Sequence, residues 1–127
     1  MSNDDVEDQA IKVVLRIERE LGREAQDVRH SGLPYDVSSP PRKIEVKAFG
    51  GSARGKQVPI EHRQAEEARE DPEHFYLYVV DNVLKGPTGI RVLHGASLVA
   101  VLNRAKPVMT YWPTLRTGEY DSIERLL

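Results

Sequence analysis

Apolar side chains at Val6, Ala10, Val13, Val14, Ile17 and Leu21 recur at helical spacing, and Gly22 follows them as a stop. The pattern predicts a helix over 6–21. Beyond it the period shortens, with a short strand expected around Asp27 to Arg29. Residues 34–38 and 42–48 then alternate strictly: Asp36 sits between Tyr35 and Val37, while Glu45 and Lys47 alternate with Ile44, Val46 and Ala48. That predicts a hairpin whose pairing is interrupted at Pro40 and Pro41. The glycine-rich stretch 50–55 reads as a flexible loop, too irregular for a phosphate-binding P-loop. A second helix is expected over 61–70, with Ala65 and Ala68 on one side and Asp71-Pro72 as its stop.

Phe75-Tyr-Leu-Tyr-Val-Val80 is continuously apolar, the mark of a buried central strand. A turn over 85–89 leads to another strand at 90–93. Residues 96–105 read as an amphipathic helix with Leu98, Val101 and Leu102 on its apolar side. The tail, 108–127, carries Tyr111, Trp112 and Tyr120; it is expected as a final strand plus coil whose aromatics close the core rather than stack on bases. The order is helix, three strands, helix, two strands, helix, which predicts a small α/β domain with a mixed sheet.

Composition narrows the function. At 127 residues, 39% apolar and 30% charged, the chain suits one soluble domain with a thin core. No apolar run approaches membrane-spanning length, and the start is acidic (Asp4, Asp5, Glu7, Asp8) where a signal peptide is basic. There is no cysteine, and the four histidines show no HExxH pairing, so thiolate and zinc sites are not expected. The expected compartment is the cytoplasm, with no membrane partner. The net charge of −2 argues against indiscriminate nucleic-acid binding, but it hides an asymmetry. Arg42, Lys43, Lys47, Arg54, Lys56 and Arg63 crowd between Pro40 and Arg63 against only Glu45 and Glu61. Arg42, Lys43, Arg54, Lys56, His62 and Arg63 are therefore candidate phosphate contacts, with a solvated basic loop as the plainer reading.

The chemistry lies in the alternation. With the apolar sets turned to the core, Asp36, Glu45 and Lys47 share the opposite face. Two carboxylates and an ammonium there suit a hard divalent cation and a phosphodiester. Cross-strand ion pairs on the wet face of a hairpin are the ordinary alternative.

Asp36 followed by Glu45-Val-Lys47 on consecutive strands resembles the PD-(D/E)xK nuclease superfamily. Together with Glu18-Arg-Glu-Leu-Gly22, Asp27-Val28 and Tyr35-Asp-Val37, the chain looks like the nuclease-like domain at the C-terminus of NO VEIN-type proteins and of some bacterial helicases and defence proteins. The likeness covers roughly residues 10–80. It implies a restriction-endonuclease-like mixed sheet flanked by helices. It also implies Mg²⁺ (or Mn²⁺) held by Asp36, Glu45 and the Val46 carbonyl, with Lys47 activating water. Glu18 would be the first-helix acid near a second metal; helical geometry alone does not choose between Glu18 and Glu20. Gln64 stands where related sequences often place an acid or Gln, and would hold water or a phosphate oxygen. The implied activity is a metal-dependent endodeoxyribonuclease in restriction or defence, acting as a homodimer or within a larger helicase or defence complex. The alternative is a catalytically silent nucleic-acid-binding or protein-interaction module.

Overall fold

Ser2 opens the first helix: its hydroxyl accepts the Asp5 N–H at 3.2 Å, and the Asp5 carboxylate accepts the Ser2 N–H at 3.0 Å. This reciprocal cap satisfies donors that the first turn leaves free. The computed structural model, which describes residues 2–127, runs α1 over Asn3–Glu20, with Gly22 at φ +87° just past its end. The buried stripe of α1 is Val6, Ala10, Ile11, Val14 and Glu18. It is rotated from the expected one, since Val13 and Ile17 are only half-buried.

Five strands follow: β1 (Gln26–Asp27), β2 (Val37–Ser39), β3 (Arg42–Ala48), β4 (Phe75–Asp81) and β5 (Gly89–His94). They form one sheet in chain order, antiparallel except for the β3–β4 pair, which is parallel. A parallel pair needs a crossover, and α2 (His62–Glu70) supplies it. A third helix, α3 (Gly95–Arg104), follows β5 directly. This is the mixed sheet flanked by helices that the pattern predicts.

Alternation divides the core between the two faces. Val37, Ile44, Val46, Tyr78 and Val80 pack against Ala10, Ile11 and Val14 of α1. On the other face, Phe75 and Leu77 pack against Ala68 of α2 and Leu98 and Leu102 of α3. The in-register pairs Ile44–Tyr76 and Val46–Tyr78 belong to the α1 face, and Glu45–Leu77 to the other.

Three expectations are corrected. The first hairpin strand is three residues long rather than five, and Asp36 lies just before it. The strand expected at 27–29 is only Gln26–Asp27. The tail forms no strand and closes no core. It holds one short helix, α4 (Thr117–Ser122), and Tyr111, Trp112 and Tyr120 are exposed. Two layered clusters already fill both faces of the sheet without those rings.

Candidate functional site

Asp36, Glu45, Val46, Lys47 and Gln64 line one cleft of about 580 Å³. It lies beside the C-terminal half of β3, and the beginnings of α1 (Asn3, Val6, Glu7) and of α2 (Glu61, Gln64) form its walls. β2 is too short to pair with this part of β3, which leaves the cleft its room. Where the ladder stops, Asp36 Oδ2 accepts the Val46 N–H at 3.0 Å, so the acid itself ends the pairing.

Glu45 is the centre of the site, with 3% of its surface exposed. Its Oε2 lies 3.1 Å from Lys47 Nζ and accepts a hydrogen bond from Gln64 Nε2 at 2.8 Å. Gln64 is held in turn, because its Oε1 accepts the Glu61 N–H at 2.9 Å across the first turn of α2. Glu45 Oε1 is buried with no hydrogen-bond partner, the one such side-chain atom among the described residues. Burial, and then the neighbouring charge of Asp36, push the Glu45 carboxyl up to about 8, and these outweigh the opposing pull of Lys47.

An unsatisfied buried carboxylate oxygen beside a second acid is costly unless a positive group meets it. The donor set, two carboxylates on one cleft wall, fits a hard divalent cation. Among the described residues, no group of three or more His, Cys, Asp or Glu side chains is arranged to hold a metal, so the protein's side-chain share would be Asp36 and Glu45.

Glu18 does not join them. It lies on the α1 face of the sheet, opposite Glu45, and is 1% exposed. Arg23 forks onto both its oxygens at 2.6 and 2.7 Å, and Ser39 Oγ and Tyr78 OH each donate to it at 3.0 Å. Burial raises its pKa, but the hydrogen bonds from Arg23, Tyr78 and Ser39 prevail and hold it below the ordinary range. This acid is a structural node. The other candidate, Glu20, is exposed and lies 3.9 Å from Arg16. Glu7, about three turns before Glu18 in α1, is the first-helix acid that lines the cleft.

The basic candidates separate as clearly. Arg42 projects onto the α1 face, where it donates to Tyr78 OH at 2.7 Å and lies 4.2 Å over the Tyr76 ring. Lys43 pairs with Glu67 at 2.7 Å and Asp71 at 2.9 Å, clamping β3 to α2. His62 pairs with Glu66 at 2.9 Å, and Arg63 donates to the Gly32 carbonyl. Arg54 and Lys56 are exposed on the loop between β3 and α2. That loop is pinned at its base, where the Asn82 N–H donates to Gly51 O at 2.9 Å and the Val83 N–H to Phe49 O at 3.1 Å.

The sheet and its cleft define a class: an α/β domain with a mixed sheet, carrying two acids and a lysine in a cleft beside the parallel strand β3. The family described as "Protein NO VEIN, C-terminal" matches residues 6–93, more than half of the chain, and the chain belongs to that family. No curated protein and no solved structure matches it. Among the described residues no helix is long and apolar enough to cross a membrane.

Proposed function

We propose that this cleft is a metal-dependent phosphodiesterase centre acting on DNA, of the PD-(D/E)xK kind. The observation that carries the reading is the buried, unpartnered Glu45 Oε1 in the wall of a cleft that Asp36 and Lys47 also line. Asp36 and Glu45 bind the cation, with the Val46 carbonyl as a candidate third ligand. A divalent ion there supplies Lewis acidity to a phosphoryl oxygen and lowers the pKa of water. Gln64 and Lys47 both engage Glu45 Oε2, and Oε1 is left without a partner. The Lys47 ammonium offsets negative charge that builds on the phosphoryl oxygens in the transition state. Arg54 and Lys56, on the loop leaving β3, contact the backbone of the substrate.

The test is cleavage of linear, circular, single-stranded and branched DNA, and of RNA, with Mg²⁺ or Mn²⁺. Cleavage that disappears in both Asp36→Ala and Lys47→Ala supports the reading. Cleavage retained by either variant, or none by the wild type on any substrate, sinks it.

A second reading, a silent module of a defence assembly, draws on the basic residues. Arg42, Lys43, His62 and Arg63 all make contacts within the protein, which thins the surface left for phosphates. Nucleic-acid binding without cleavage would favour it.

A further inference from the structure

Three apolar side chains of the cleft belong to neither core layer. Val6 of α1, Phe49 just past β3 and Leu84 from the connection between β4 and β5 all line the cleft, yet none is part of either packed cluster of the sheet. Phe49 continues the ladder beyond β3, since its N–H donates to Val80 O at 2.9 Å. Alternation therefore puts it on the same side as Glu45 and Lys47, about 7 Å past Lys47 at roughly 3.3 Å per residue. Leu84 is 50% exposed and lies over Gly50, where an added Cβ would come within 2.8 Å of Leu84 Cδ1. The Leu84 N–H donates to Gly50 O at 3.2 Å, which fixes the backbone that carries this side chain. Any residue larger than glycine at position 50 would push Leu84 from its place.

The cleft thus has two chemically different parts. Glu45 and Lys47, with Asp36 bonded to Val46, mark the first; Phe49, Gly50 and Leu84 mark the second, further along the chain direction of β3. The volume exceeds what the first part needs. A cation with six waters fills about 200 Å³ at about 30 Å³ per water, against about 580 Å³ here. Pockets of about 300–1,000 Å³ hold whole small molecules. A molecule that suits both parts carries a phosphate and, one sugar away, a flat ring with apolar faces. Sugar–phosphate backbone alone has no use for the apolar part, and bases paired in a duplex keep their faces inside the stack.

We propose that Val6, Phe49 and Leu84 form a nucleobase subsite, which takes the base of an unstacked nucleotide whose phosphate meets the acids through a cation. The phosphate part of this assignment rests on the phosphodiesterase reading; the base part does not. Stacking of this kind tolerates any sequence, because every base has a π-face. The substrate class that follows is single-stranded DNA, or a mismatch, flap or frayed end where the base is already free of its stack. Charge sets the order of events. Glu7, Asp36, Glu45 and Glu61 line the cleft against Lys47 as its one cation, so a bare phosphate is repelled and enters with a divalent ion. A nucleoside, which is neutral, enters without one.

The full chain is followed by amide NMR during titration with deoxyadenosine, with its 5′-monophosphate and with deoxyribose 5-phosphate, each with and without Mg²⁺. None of these contains a phosphodiester, so turnover does not interfere. Deoxyadenosine should shift the Phe49, Gly50 and Leu84 amides without metal, and the monophosphate should bind once Mg²⁺ is present. With Mg²⁺ the monophosphate should bind roughly fivefold or more tighter than deoxyribose 5-phosphate. Leu84→Ala should remove most of that difference while circular dichroism and the affinity for deoxyribose 5-phosphate stay unchanged. Leu84 is outside both core clusters, so loss of folding does not confuse the test. Equal affinities for the monophosphate and the sugar phosphate, or no shift at Phe49 and Leu84 with millimolar nucleoside, overturn the subsite. Nucleoside binding there with no cleavage of any DNA upholds the subsite and sinks the phosphodiesterase reading. Cleavage of duplex and single strand at equal rates leaves that reading intact and overturns this one.

Discussion

Glu45 holds a proton that the unfolded chain would have released. Its carboxyl sits at about 8 against an ordinary 4.5, so the folded state binds more protons than the unfolded one between those values. The stability this contributes is complete below about 4.5 and is lost as pH climbs through about 8. The melting temperature of the metal-free protein should therefore fall from pH 5 to 8.5, and Glu45→Gln should flatten that fall; parallel curves would refute the assignment. At pH 8, added Mg²⁺ should raise the melting temperature of the wild type but not of Glu45→Gln, because an ion that binds only the folded state stabilises it. Glu18→Ala should behave in the opposite way. Removing one member of a buried charged network costs about 3–5 kcal/mol, which denaturant titration would register, while the Mg²⁺ response of the surviving fold persists. Alternation made the grouping of Asp36, Glu45 and Lys47 legible in the sequence, because a period of two fixes the face whatever the neighbours are. Glu18 was not legible as a structural residue. Its place follows from which turn of α1 meets the sheet, and Val13 and Ile17 drew the expected stripe a fraction of a turn away. The grip of Gln64 on Glu45 was also hidden, although Glu61-x-x-Gln64 carries the spacing of a helix-start capping pair.

At the scale of elements, the long ones were read within a few residues and the short ones were not. α1, β3, α2, β4 and α3 each carry a full period of pattern. β1 and β2 are too short to do so, and their ends are set by single side chains such as Asp36. Gly22 ends α1 at φ +87° with open space around its Cα. Gly22→Ala should thus cost about 1 kcal/mol from backbone strain alone, measurable by urea unfolding and without effect on the cleft. Lys43 joins β3 to α2 through Glu67 and Asp71, but the contact is partly exposed. Lys43→Ala should lose less than about 1 kcal/mol. The tail misled sequence reasoning because aromatic content suggests burial without requiring it, and here two layers had already filled the core.

For the molecule as a whole, charge counted along the chain was a poor guide, since contacts within the domain engage Arg42, Lys43, Lys47 and Arg63 of the basic run. If Arg54 and Lys56 are the phosphate contacts, changing both to Ala should weaken DNA binding across sequences and lower the slope of log affinity against log salt by roughly 1–2 units. Lys43→Ala should leave that slope alone, and equal slopes in all three proteins would exclude the loop. The loop's position also bears on how such a domain can change over generations. Its base is stitched to residues 82 and 83, while both acids and the lysine of the cleft lie before it. Doubling the length of a flexible loop costs only about 0.6 kcal/mol. Descendants of this gene can therefore rewrite what the loop touches, by insertion as readily as by substitution, while inheriting the cleft intact.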